Sequence, residues 1–177
     1  MRLTRELIYF FAVGVLMFVG AAAAQDTAKS SGVSVTPKEL IGEWTLVSIY
    51  DTPNIIGIDY KQANSLLKSR ITYRDGYLSA CNQRVRINKV ERNVVTAAEF
   101  LAGRRYTHFS DVGVTTPSIS EITINDGETG NCFMTGTLPG EDVSLKSEDE
   151  ILVDFQEVYY RGLRTASPKN SKHHGLR

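Results

Sequence analysis

Beyond residue 40 the apolar positions come in short runs broken by turn residues at near-regular intervals. Residues 42–50 are rich in aromatic and β-branched side chains, the composition of a strand. Ile71-Thr72-Tyr73 and Tyr77-Leu78 flank Arg74-Asp75-Gly76, and Asp-Gly between two such runs predicts a hairpin. Residues 84–90 alternate polar and apolar, which predicts one strand with a wet face. Residues 118–125 predict a further strand closed by Asp126-Gly127. Three more runs follow at 132–137, 143–146 and 151–161, the last as one long strand or two. Pro139-Gly140 and Glu148-Asp149-Glu150 separate them.

Two segments carry the helical period instead. In residues 60–68, Ala63, Leu66 and Leu67 fall at i, i+3 and i+4, a small apolar stripe. In residues 96–102, Thr96 precedes Glu99 by three positions, the spacing of a capping box, and Gly103 suits the end of that helix. About eight short strands with two short helices predict a mainly β chain, an antiparallel barrel that is closed or nearly so.

The ends read differently. Arg2 and Arg5 precede an uncharged apolar run at 7–20, and four alanines, Ala21 to Ala24, follow before polar Gln25-Asp26. This order predicts a cleavable signal peptide over 1–24, hence an exported, periplasmic or secreted protein with no membrane anchor left after cleavage. The alternative is an uncleaved anchor, because the apolar stretch approaches the roughly 20 residues that cross a bilayer. Residues 25–38 are small and polar and read as a flexible leader. The folded domain is expected at 39–165, and the polar, basic residues 166–177 as a disordered tail.

Lys plus Arg and Asp plus Glu are equal in number, so the formal net charge is zero. That balance excludes an electrostatic footprint for nucleic acid. The chain has two cysteines, Cys81 and Cys132. In an exported protein they predict one disulfide, with two buried free thiols as the alternative.

Residues Leu40-Ile41-Gly42-Glu43-Trp44 resemble the Gly-x-Trp opening of lipocalins and the wider calycin barrels. In that family the tryptophan begins the first strand and plugs one end of the barrel, and an arginine after the last strand packs over its ring, a cation–π contact. Arg161 is the first candidate for that role here and Arg164 the second, with Gly42 leaving room for the backbone beneath the ring. A broader resemblance covers nearly all of the folded region. The chain looks like a group of uncharacterised exported bacterial lipocalin-like proteins, through Ala63-Asn64-Ser65-Leu66-Leu67, Cys81, Thr96-Ala97-Ala98-Glu99-Phe100 and Tyr159-Tyr160-Arg161. A weaker likeness to exported META-type domains rests on Trp44 and Cys81-Asn82. These resemblances imply a small lipocalin-like barrel and imply no activity.

Candidate chemistry is sparse. His108 has no His or Cys at ligand spacing, and His173-His174 falls in the tail. No nucleophile elbow or phosphate-cradling loop occurs, so neither metal nor cofactor is expected and the reading is non-enzymatic. The carboxylates Glu141-Asp142 and Glu148-Asp149-Glu150 read as solvated turns, and Asn125-Asp126 with Asn131 lacks the spacing of a calcium loop. One basic concentration remains, Arg84, Arg86, Arg104 and Arg105 with Tyr106, a candidate receptor for an anionic group at the barrel mouth. The loop at 51–59 is unusually apolar, and Ile55, Ile56 and Ile58 are expected either to cap the barrel or to form a docking patch.

Two functions fit these observations. The first is a binding module for a small apolar or amphipathic ligand held inside the barrel. The second is an envelope interaction protein or enzyme inhibitor that presents barrel loops to a protein partner. An enzyme would need Tyr, Arg and a carboxylate to converge in one pocket.

Overall fold

Alternation along the chain decides the fold, because each strand can bury only one set of alternate side chains against a shared core. The structure is a computed structural model and describes residues 36–50, 57–104, 107–125 and 130–166. The expected signal peptide, the expected leader up to residue 35, Ile55, Ile56, Arg105, Tyr106, Asp126, His173, His174 and the expected tail beyond Ala166 lie outside the described residues. Among the described residues there are nine strands: β1 (Gly42–Ile49), β2 (Arg70–Arg74), β3 (Tyr77–Ala80), β4 (Gln83–Arg86), β5 (Lys89–Thr96), β6 (Ser118–Asn125), β7 (Asp142–Leu145), β8 (Glu150–Phe155) and β9 (Val158–Ala166). Two short helices, α1 (Tyr60–Ser65) and α2 (Ala97–Gly103), complete the set. Both open on a capping box, Asp59 with Gln62 and Thr96 with Glu99.

The strands form one antiparallel ladder in the order β4-β3-β2-β1-β9-β8-β7-β6-β5. It is an up-and-down meander in which the last strand pairs with the first, Trp44 opposite Arg164 and Ile49 opposite Tyr160. The ladder curls into a half-barrel. Its two terminal strands, β4 and β5, are consecutive in the chain and separated only by Ile87 and Asn88. An even number of antiparallel steps lies between them, so they run the same way. Residues 83–96 therefore act as one bent strand that pairs with β3 along its first half and with β6 along its second. The single run expected at 84–90 and the count of about eight agree with this.

One expected strand is absent. Residues 132–137 form turns, because Phe133 and Met134 have left-handed backbone, φ 55° and 63°. The run at 151–161 is two strands, divided by Gln156 and Glu157 at φ 54° and 64°, a tight turn made without glycine. The hairpin at Asp75-Gly76 has φ 51° and 78°, as a type I′ turn requires. Thr36 and Pro37, assigned to the leader by composition, are buried, and Thr36 Oγ1 accepts from the Gly76 N–H at 2.9 Å.

Two apolar layers result. The concave side holds Trp44, Leu46, Ile71, Tyr73, Leu78, Ile122, Ile151 and Tyr160, all fully buried, under Ile58 and the α1 residue Ala63. The outer side carries a second cluster in which Phe100 of α2 and Phe109, Val112 and Val114 pack on Ile119, Leu152 and Tyr159. Among the described residues no helix is long and apolar enough to cross a membrane.

Candidate functional site

The segment at 36–41 folds across one end of the sheet and is locked there by Trp44 and Arg164. The indole of Trp44 is completely buried and its Nε1–H donates to the Leu40 carbonyl at 2.8 Å. The Arg164 guanidinium lies 4.1 Å from the centroid of that ring. It also donates to the carbonyls of Ile41, Glu39 and Glu148, at 2.6, 2.7 and 2.9 Å. One side chain thus holds the incoming segment, the β7–β8 turn and the indole together. Gly42, at φ 132°, takes a backbone conformation that any side chain would strain.

On the outer face, Arg104 caps the end of α2 and reaches across the sheet. It pairs with Asp154 on β8 at 3.0 Å and with Glu121 on β6. Asp142 on β7 stands opposite Asp154 in register and accepts from Thr123 Oγ1 at 2.8 Å. Burial pushes the Asp154 carboxyl up to about 6; Arg104 draws it down, while Asp142 and Glu121 raise it again. Burial would lower the Arg104 guanidinium, but Asp154 and Glu121 outweigh it and hold it above its ordinary value. Burial also raises the hydroxyl of neighbouring Tyr159. The cleft beside this cluster holds about 260 Å³, under the range of roughly 300–1,000 Å³ typical of ligand pockets. With two carboxylates paired to one guanidinium, the cluster ties α2 to the sheet and leaves Arg104 no unmatched charge.

A third group surrounds the disulfide. Cys81 and Cys132 are bonded, with Cα atoms 5.8 Å apart. Gln83 and Asn131 exchange two hydrogen bonds beside them, Nε2 to the Asn131 carbonyl at 2.6 Å and the Asn131 N–H to Oε1 at 2.9 Å. Thus braced, Cys132-Phe133-Met134-Thr135 forms a tight turn closed by Thr135 N–H to the Cys132 carbonyl at 3.1 Å. Its two central residues are the left-handed Phe133 and Met134, and Met134 is 93% exposed. Phe133 forms one wall of an adjoining cleft of about 570 Å³, with Leu66, Ser69, Arg70 and Asn82 among the others.

No family model, curated protein or solved structure matches this chain.

The structure disperses the predicted basic group. Arg84 and Arg86 are exposed on β4, where Arg84 stacks on Tyr77 at 3.9 Å, while Arg104 is taken up by Glu121 and Asp154. Arg161, the first candidate for the indole, instead pairs with Glu150 at 2.8 Å on the outer face, because alternation along β9 turns it away from the side that Tyr160 and Arg164 share. Ile58 is buried in the main core. His108 is exposed. The acidic positions are more engaged than solvated turns: Glu141 accepts from the Leu138 N–H at 2.7 Å, and Glu150 binds both Lys146 and Arg161. Among the described residues, no three His, Cys, Asp or Glu side chains gather as a metal ion requires.

Local composition does not single out Phe133 and Met134, because residues 132–137 have the composition of a strand. Asn131 before a small-residue segment, Thr135-Gly136-Thr137, is the signal that marks the turn.

Proposed function

We infer that this chain is an exported, non-enzymatic binding module that engages a protein partner through its surface. The observation that carries this reading is the filling of the curled sheet by its own side chains. Trp44, Tyr73 and Tyr160, the largest of them, are fully buried, and their polar atoms are spent on the backbone carbonyls of Leu40, Gly140 and Ala63. A barrel that reads a small ligand keeps a few polar groups pointed at it. These three groups point at the chain itself, which favours the surface-binding reading over an apolar ligand held inside. The Gly42, Trp44 and Arg164 arrangement supports kinship with lipocalin-like barrels, and the disulfide supports an oxidising, extracytoplasmic site of action.

Native mass spectrometry of protein purified from its own source tests the reading. The expected mass is that of the bare chain beginning near Gln25. A lipid or other apolar molecule retained at one per chain overturns the surface-binding reading, and an intact Met1 overturns cleavage.

A further inference from the structure

We propose that the outer face of β2, β3 and β4 binds an acidic segment of a protein partner, with Arg74, Arg84 and Arg86 around Tyr77 receiving its carboxylates. The proposal rests on the surface-binding reading above and names the chemistry of the partner. Strand register builds the group. Tyr77 on β3 stands opposite Arg74 on one side and opposite Arg86 on the other. Arg84, two residues from Arg86 and on the same face of β4, leans diagonally and stacks on the Tyr77 ring at 3.9 Å. All three arginines are exposed. The ring holds the Arg84 guanidinium by its face, which leaves the N–H groups at its edge to take a carboxylate in a two-pronged grip.

The charge of this group is unanswered within the fold. Among the described residues every other arginine is in an ion pair, from Arg70 with Glu43 to Arg164 with Asp149. Arg74, Arg84 and Arg86 are in none, although Asp75 is the next residue after Arg74. A formally neutral chain thus gathers its unpaired guanidiniums in one place. Like charges this close repel, and a partner that brings carboxylates relieves the repulsion. Spacing and surroundings select an acidic polypeptide. Arg84 and Arg86 stand about 7 Å apart along the strand, the interval at which alternate side chains recur on one side of an extended segment. A lipid surface is held by cations together with apolar side chains that enter it, and no large apolar side chain of β2, β3 or β4 is strongly exposed. A nucleic acid calls for a broad basic field, whereas Glu43 and Asp75 border this patch.

Fluorescence anisotropy of labelled poly-L-glutamate, titrated with the protein, tests the proposal. Wild type is expected to bind, and added salt to weaken the complex by screening. Arg74→Gln, Arg84→Gln and Arg86→Gln together should weaken binding about tenfold or more. Arg74→Gln with Arg86→Gln leaves the Arg84 stack on Tyr77 in place and should lose most of the same affinity. A control with Lys38→Gln, Lys61→Gln and Arg92→Gln removes equal charge from exposed positions elsewhere and should bind as wild type does. Wild type that leaves polyglutamate unbound overturns the proposal, as does a control that loses as much affinity as the arginine variants. Heparin or phosphatidylglycerol vesicles that bind through the three arginines in preference to polyglutamate overturn the acidic protein as partner. Unbound polyglutamate with a chain that retains no lipid sinks this inference alone, whereas a retained lipid sinks the surface-binding reading whatever polyglutamate does.

Discussion

Arg164 lies over Trp44 at 4.1 Å while directly opposite it in the β1–β9 ladder, so the first and last strands are joined by side chains as well as by backbone. Trp44→Ala should cost about 3–5 kcal/mol, the range for large aromatic truncations in a core. The cation–π part of the Arg164 contact is worth about 0.5–2 kcal/mol, and its three bonds to carbonyls add to it. Arg164→Ala should therefore destabilise clearly, and Arg161→Ala much less, because Arg161 serves only an outer-face pair with Glu150. Urea denaturation of the three variants checks the order; an Arg161→Ala effect equal to that of Arg164→Ala contradicts it.

Removing the disulfide should be costly. The bridged cysteines are 51 residues apart, for which the chain-entropy account gives about 4 kcal/mol. Cys81→Ser with Cys132→Ser should lower the denaturation midpoint accordingly, and alkylation without prior reduction should label neither thiol in wild type.

Asp154 should make the fold more stable as pH falls from neutrality. Its carboxyl is raised from 3.8 to about 6 in the fold, so between those values the folded chain binds a proton that the unfolded chain lacks. This stabilisation is full below about 3.8 and is lost as pH rises through about 6, on the order of 2–3 kcal/mol in all. Asp154→Asn should flatten the stability curve between pH 4 and 7. An unchanged slope in that window shows that the carboxyl does not titrate there.

Glu150 works in the opposite sense. Hydrogen bonds from Arg161 and Lys146 hold its carboxyl down at about 2, with burial opposing them. Its contribution is present above about 4.5 and disappears as pH falls through about 2. Glu150→Gln should lower stability at neutral pH and remove part of the loss seen on acidification, with no effect on the slope that Asp154 produces. Lys146 also donates to the Val112 carbonyl at 3.1 Å, so faster hydrogen exchange at 109–114 should accompany the change.

Much of the strand layout was legible because its signals are local. Aromatic and β-branched composition and turn residues placed β1, β2, β3, β6 and β7, and Thr96 with Glu99 announced the start of α2. The outer apolar layer was less visible, although the unbroken Ile151-Leu152-Val153 and Tyr159-Tyr160 runs are what strands buried on both faces produce. The turn at Gln156-Glu157 had no glycine to mark it, and the Phe133-Met134 turn imitated a strand, since β-propensity reports side-chain fit and not backbone sign.

The pattern of residues by itself determined a mainly antiparallel β fold with two short helices, one of them opening on a capping box, while the arginine over Trp44 was implied by the resemblance to lipocalin-like barrels. The fold class follows from strand composition, helical spacing, capping and turn chemistry, each settled within a few positions along the chain. Only the tertiary structure decided that the partner is Arg164 and not Arg161. The choice turned on the parity of β9 against the core and on carbonyls brought from Ile41 and Glu148, more than a hundred residues apart in the chain. The same holds for Arg104. It counts as one arginine among several in sequence, but the register that sets Asp142 beside Asp154 encloses it among carboxylates, because charge compensation depends on neighbours that only folding assembles.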